Sequence, residues 1–437
     1  MTTDSKEPAE AGQPVSAGAD APVAAWPGFS VARLPRILFG AGRSRELGAV
    51  VGEFGRNALV VVRGPSFTAS PDWARLLSGL DAAGVSVTME PVSGEPSPAL
   101  VDEIVARHRA GAGGPGASSP FDVVIGIGGG SVLDTAKAVA GLLIPGNSVM
   151  DHLEGVGPEL PYRGPSVPFI AVPTTAGTGS EATKNSVLST HGPAGFKKSF
   201  RDEALVARVA IVDPDLLASC PPELIAGNGM DALTQLLESY VSTRANPFTD
   251  ALALSGLACI RDGLLPWYQE AVAGRGTAGP GSVAAAARER MAYAALCSGI
   301  CLAQAGLGSV HGLASPLGAQ YPIPHGVACG ATLAAATRVN IAALESRDPT
   351  SVALARYAAA GWILSGVAGA NDSEARAALV PALTQLTARL GVPRLSAFGI
   401  TEASIPAVIA DARGSSMKTN PVVLTDVEIG AVLRAAL

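Results

Sequence analysis

Asp231 and Gln235 sit four residues apart in "GMDALTQLLESY", which begins at Gly229 and reads as a helix. Residues at i and i+4 share one helix face, and such a pair can offer two ligands to one metal ion. Aspartate is an ordinary ligand, whereas a neutral glutamine amide coordinates weakly through its carbonyl oxygen. Farther on, "SVHGLASPLGAQYPIPHGVACG" carries two of the five histidines, His311 and His325, fourteen residues apart. They flank a Gly/Pro-rich turn between helices and can converge on one point. With Asp231 they make a two-histidine, one-carboxylate set of the kind that holds Fe2+ or Zn2+. Three readings stay open: a metal site with one weak ligand, a site that has lost its metal, or a polar pair without function.

A second cluster suits a phosphate. In "GIGGGSVLDTAKA", Gly128, Gly129, Gly130 and Ser131 fall between a strand pattern and a helix pattern. Glycines let backbone N–H groups approach an anion, and a helix N-terminus adds its dipole. The order differs from the GxGxxG of the usual dinucleotide fold. Asp134 and Lys137 follow at i, i+3, either as a surface pair or lining a nucleotide cleft. A further loop, "VPTTAGTGSEAT", sets the hydroxyls of Thr174, Thr175, Thr178 and Ser180 after a strand. Open α/β sheets bind ligands at such carboxyl ends. Either loop alone is also readable as a turn; two in one sheet point to a cofactor.

These loops need a scaffold. From about Val31 to Pro214, the runs "NALVVVRG", "VSVTMEPV", "FDVVIGIGGG", "PFIAVPTT" and "VARVAIVDP" read as strands. Between them lie helices such as "DWARLLSGLDAAG", "ALVDEIVARHRA" and "SVLDTAKAVAGLL", and a flexible link, "AGAGGPGASSP". The alternation predicts an α/β, Rossmann-like dinucleotide-binding domain over 30–214 with a mostly parallel sheet. After Asp215 strand signals nearly vanish, so an all-helical domain is expected over 215–437, with "GRGTAGPGS" as a loop within it. Residues 1–29 are polar and rich in Ala, Pro and Gly. They read as a disordered tail and lack the charge pattern of a secretory signal.

Composition narrows the function classes. The 437 residues carry a net charge of −6 with only 16% charged, which gives no case for nucleic acid or anionic membranes. The uncharged run "AYAALCSGICLAQAGLGSV" fits a helix buried in protein better than a membrane span. Five cysteines without a CxxC suggest a reducing, cytoplasmic setting, and the i, i+4 pair Cys297 and Cys301 reads as core. Lys184, Lys197, Lys198 and Arg201 read as surface charge, the alternative being attraction of an anionic substrate.

The motifs "GGGSVLDTAK", "PTTAGTGSEAT", "AIVDPDLL", "GMDALTQ", "ANPFTD" and "HGLASPLGAQYPIPHG" together make the chain recognisable. It resembles the iron-containing (group III) alcohol dehydrogenases of the dehydroquinate synthase-like superfamily, from "RILFGAGRSRELG" at Arg36 to "TNPVVLTDVEI" near the end. The resemblance implies hydride transfer between NAD(P)H and a small alcohol or aldehyde, with a divalent metal as Lewis acid in a cleft between the two domains. The family's ligands, an Asp, a His four residues later and two further histidines, fall on Asp231, Gln235, His311 and His325. Gln235 thus stands where the family has histidine. Ser315 stands where relatives often carry a histidine implicated in proton relay.

Many relatives also place an Asp after the first strand, which favours NAD. Here Arg63 follows "ALVVV", and an arginine can bind a 2′-phosphate, so NADP is expected to serve. The reading is a cytoplasmic, homodimeric oxidoreductase acting on a small-molecule alcohol or aldehyde. Two alternatives accompany it: a metal-independent reductase of the maleylacetate reductase type, and a nucleotide-binding protein without turnover.

Overall fold

The structure, a computed structural model, describes residues 28–109, 119–192 and 195–437. The expected tail and the "AGAGGPGASSP" link lie almost wholly outside the described residues. Among the described residues eight strands form: β1 (Arg36–Phe39), β2 (Asn57–Arg63), β3 (Ser86–Val92), β4 (Val123–Gly128), β5 (Phe169–Pro173), β6 (Asn185–Thr190), β7 (Phe196–Arg201) and β8 (Val209–Val212). Six of them make one sheet in the order β1-β8-β5-β4-β2-β3, with every neighbouring pair parallel.

β4 and β5 are buried along their whole length, as a parallel sheet covered on both faces requires. Side chains alternate accordingly: Leu59 and Val61 of β2 enter one core, and Ala58, Val60 and Val62 enter the other. The covering helices are α1 (Leu47–Gly52), α2 (Pro65–Thr68), α3 (Pro71–Ala82), α4 (Pro98–Arg109) and α5 (Gly130–Leu142). From β2 the chain runs outward to β3 and then returns to β4 on the other side of β2. That reversal leaves a crevice outside the carboxyl ends of β2 and β4, where Arg63 and Gly128 stand.

β1 and the antiparallel hairpin β6–β7 have no counterpart among the strands predicted above. β1 is four residues long, partly exposed, and paired to β8 alone. The hairpin's "NSVLST" and "FKKSFR" carry too few apolar residues to read as strands.

Helices α6 (Pro222–Val241), α7 (Pro247–Val272), α8 (Val283–Ala305), α9 (Ser309–Gln320), α10 (His325–Arg347), α11 (Val352–Ser365), α12 (Asp372–Arg389), α13 (Ile405–Asp411) and α14 (Asp426–Ala436) follow. Among the described residues no strand comes after Val212. The uncharged run 292–310 is split: α8 ends at Ala305, and α9 departs from it at 102°. α10 is long and apolar enough to cross a bilayer by length and composition, but 67% of its apolar stretch is buried inside the fold. Cys297 and Cys301 lie in the helical core, where the Cys301 thiol donates to the Thr249 carbonyl at 3.4 Å.

Candidate active site

A cavity of about 1350 Å³ lies between the carboxyl ends of the sheet and the helical half. One wall carries Arg63 at the end of β2, Gly129, Gly130 and Ser131 at the start of α5, and Thr175, Thr178 and Ser180 from the loop after β5. Gly129 caps α5 without a side-chain hydrogen bond; Val132 N–H returns to the Gly129 carbonyl, and the Gly130 and Ser131 N–H groups remain available to an anion. A Cβ on Gly129 would stand 3.0 Å from Thr175 Oγ1, and one on Gly130 would stand 2.7 Å from the Thr178 side chain. The two loops therefore pack against each other with no room for side chains.

Gly128 and Thr174 are set back from the cavity and join the loops, Thr174 N donating to the Gly128 carbonyl at 2.9 Å. Asp134 reaches the cavity wall. Lys137, expected at the surface or in the cleft, occupies neither. It is fully buried, and its Nζ donates to Ser180 O (2.9 Å), Ser180 Oγ (3.0 Å), Thr183 Oγ1 (3.0 Å) and Asn185 O (2.6 Å). Ser180 Oγ donates in turn to Asp134 Oδ1 at 2.5 Å. The pair thus fastens α5 to the second loop. Burial lowers the Lys137 ammonium to about 8, against the pull of Asp134 and Glu181.

The facing wall is made of side chains. α6 presents Asp231 there, α9 presents His311 and α10 opens with His325. His311 Nε2 stands 3.2 Å from Asp231 Oδ1, and His325 Nε2 stands 3.7 Å from the same oxygen. Backbone contact brings α10 this close: a Cβ on Gly326 would fall 2.1 Å from the Gly227 carbonyl of α6. Glu238, two turns after Asp231 on the same face of α6, was not among the expected residues. Its carboxylate accepts from His311 Nδ1 at 2.7 Å and from the Val310 N–H at 2.6 Å, which turns His311 Nε2 toward Asp231. Outer carboxylates commonly orient ligand histidines in this way, and the spacing of seven was the available signal.

Gln235 lines the cavity beside this cluster, but its Oε1 accepts from Ser298 Oγ at 2.7 Å. That bond occupies one of the two lone pairs of the atom through which Gln235 would ligate a cation. Its amide NH2 has no partner among the described residues. Cys329, on the turn of α10 after His325, is the neighbour that sequence reasoning missed. Its Sγ lies 3.7 Å from Asp231 Oδ1 and 3.9 Å from Nε2 of each histidine.

Residues 35–214 match the family described as "Iron-containing alcohol dehydrogenase", and residues 225–437 match "Fe-containing alcohol dehydrogenase family, C-terminal". The chain belongs to the iron-containing alcohol dehydrogenase family. It is 33% identical to Long-chain-alcohol dehydrogenase 1 of Geobacillus thermodenitrificans, over 93% of this chain and 97% of that protein. It is also 33% identical to lactaldehyde reductase of Escherichia coli, over 77% of this chain and 80% of that one. Among solved structures, 1,3-propanediol oxidoreductase superposes with a TM-score of 0.79 at 28% identity, covering 94% of this chain and 100% of that chain. Sulfoacetaldehyde reductase from Bifidobacterium kashiwanohense, in complex with NAD+, superposes with a TM-score of 0.76 at 27% identity, covering 93% and 98%.

The electrostatics of this iron-containing alcohol dehydrogenase family member favour a cation at Asp231 and His325 and oppose one at His311. Burial works to raise the Asp231 carboxyl, yet His325, His311 and Lys197 hold it below its ordinary value. Burial drives the His325 imidazole down to about 4, so it stands neutral with a lone pair to give. Burial also opposes a charge on His311, but Cys329, Asp231 and Glu238 raise it well above the usual range. An ionised carboxylate and the neutral His325 nitrogen meet at one point with His311, whose raised proton affinity means that a divalent ion would have to displace its Nε2 proton to bind.

Ser315, one turn beyond His311, lines the cavity, as do Lys197, Lys198 and Arg201 of β7. These three were read as surface charge and instead face the cleft. Lys197 pairs with Glu95 at 3.0 Å and Arg201 pairs with Glu154. Lys184 lies outside the cavity lining, 3.9 Å from Glu203.

Proposed function

We propose that this chain is a nicotinamide-dependent oxidoreductase that interconverts a small alcohol and its aldehyde or ketone. The observation that carries this reading is the meeting of a phosphate-accepting backbone and a cation-accepting donor set on opposite walls of one cleft. NAD(P)H supplies the hydride when bound, and a divalent ion held by Asp231, His311 and His325 supplies Lewis-acid polarisation of the substrate oxygen.

The chain's own residues do the rest. The N–H groups at Gly129, Gly130 and Ser131 hold the pyrophosphate, and the α5 dipole favours its charge. Thr175, Thr178 and Ser180 add hydroxyls, while Gly128, Thr174, Asp134 and Lys137 keep the two loops in register. Arg63 donates to the adenosine 2′-phosphate, which favours NADPH. Glu238 holds the His311 proton on Nδ1. The Gln235 amide donates toward the substrate oxygen, and the Ser315 hydroxyl passes the proton that completes the alcohol. Five free thiols agree with a reducing cytoplasm.

The Gln235–Ser298 bond favours one second reading, a metal-independent reductase of the maleylacetate reductase type. Metal content and NADPH-dependent reduction of an aldehyde panel, measured before and after exhaustive chelation, separate the two. Full activity in metal-free protein overturns the Lewis-acid role.

A further inference from the structure

We infer that Cys329 is the fourth protein ligand of the metal site, so that the donor set is Asp231, His311, His325 and Cys329 and is suited to Zn2+. This rests on the metal reading above.

The spacings carry it. In a tetrahedral zinc site, N and O donors lie roughly 2.0–2.1 Å and sulfur roughly 2.3 Å from the ion. Simple trigonometry then sets N and O donors about 3.3–3.4 Å apart, and sulfur about 3.6 Å from each of them. The carboxylate–imidazole separations here are 3.2 and 3.7 Å, and the sulfur separations are 3.7, 3.9 and 3.9 Å. All four donor atoms lie within 4.8 Å of one another. A thiol has one proton and would settle on one acceptor, whereas this sulfur is nearly equidistant from three. That is the arrangement of a vertex around a common centre.

The placement leaves room for chemistry. Cys329 is fully buried and stands behind Asp231, His311 and His325, which line the cleft where it does not. Sulfur closes the site from the rear and leaves the cleft side to substrate. Position 235 has lost its imidazole, and its carbonyl oxygen is held by Ser298. The i, i+4 ligand pair that α6 would have offered is supplied by α10 instead, as His325 and Cys329. On binding, the thiol gives its proton to solvent and no electrons move. Thiolate and imidazole donors together suit Zn2+.

The test titrates the full-length, metal-stripped protein with Co2+ in reducing, oxygen-free buffer. A near-ultraviolet sulfur-to-cobalt charge-transfer band is expected to rise to one equivalent. It should vanish in Cys329→Ser and persist in Cys297→Ser. Zn2+ affinity, measured by competition with a chromophoric chelator, is expected to fall at least roughly 10–100-fold in Cys329→Ser, since even outer partners cost that much. The wild-type spectrum decides without any variant having to fold. One equivalent of Co2+ bound with no charge-transfer band overturns the Cys329 assignment and leaves Asp231, His311 and His325 as the ligands. No uptake of Co2+ at all overturns the metal reading itself, and this inference with it.

Discussion

The two walls of the cleft are made of different material. The cofactor wall is mostly backbone: glycines and N–H groups concentrated in two loops after β4 and β5. The donor wall is mostly side chains, brought from α6 and from the much later pair α9 and α10. A backbone site fails when a Cβ is added, because its neighbours are already in contact. A side-chain site can exchange one donor for another, provided the places from which donors reach stay fixed.

This contrast can be broken or sharpened by substitution. The largest effect is expected on the donor wall. His325→Ala should lose bound metal and lower aldehyde reduction by roughly 10³-fold, the equivalent of several kcal/mol of Lewis-acid stabilisation, with cofactor affinity nearly unchanged. A parallel loss of cofactor binding, read by calorimetry, would join the two walls into one cooperative unit.

Gly129→Val should raise the cofactor Kd by roughly 100-fold by blocking the pyrophosphate approach, with metal content unaltered. Its side chain also meets Thr175, 3.0 Å from the Cβ position. Combining it with Thr175→Ala, which removes both the hydroxyl and the methyl, tests whether that crowding, rather than the phosphate, is responsible. Arg63→Ala should lower the NADPH-over-NADH preference in kcat/KM by roughly 10-fold, about what one charge-assisted hydrogen bond contributes. A strong NADH preference unaltered by the change places Arg63 away from the 2′ position.

Gln235→His should strengthen Zn2+ binding only a few-fold in the wild-type background, and by roughly 10-fold or more when combined with Cys329→Ser, since imidazole then restores a missing donor. Equal gains in both backgrounds would show that the two positions do not share an ion.

Turnover should respond least to Glu181, which sits buried between the two halves. Burial raises its carboxyl to about 7, above roughly 4.3 in an unfolded chain. Between those values the folded state holds a proton that the unfolded state has released. Its contribution to stability is therefore complete at low pH and is lost as pH rises toward about 7. Urea unfolding at about pH 5 and pH 8 should show this slope, and Glu181→Gln should reduce it by roughly 1–3 kcal/mol.

The same contrast decided what the sequence disclosed. The central strands announced themselves because both faces are buried and their runs are rich in Val and Ile. β1 was hidden by its brevity and its edge position. β6–β7 was hidden because Lys197, Lys198 and Arg201 face a cleft and look like surface. The glycine and threonine loops were legible because backbone sites need particular residue types in a short span. Asp231 was visible from helical spacing, and His311 and His325 joined it chiefly through family resemblance. Lys137 was misplaced because a buried ammonium satisfied by four acceptors has no local signature. Glu238 and Cys329 each carried a helical interval from a known candidate, but a glutamate and a cysteine among apolar neighbours invite duller readings.

The close approach of Gly227 and Gly326 has a bearing on how such a site changes over generations. Neither residue offers a side chain to the chemistry, yet Gly326 cannot be replaced without forcing the start of α10 away from α6, whereas a Cβ on Gly227 would meet nothing nearer than 3.9 Å. The junction therefore behaves as a fixed foundation under an exchangeable facade. Lineages are free to try histidine, glutamine or cysteine around the meeting point, one position at a time, and each trial is made at the same address. Divergence in metal preference can then proceed by small steps, without the fold having to be relearned.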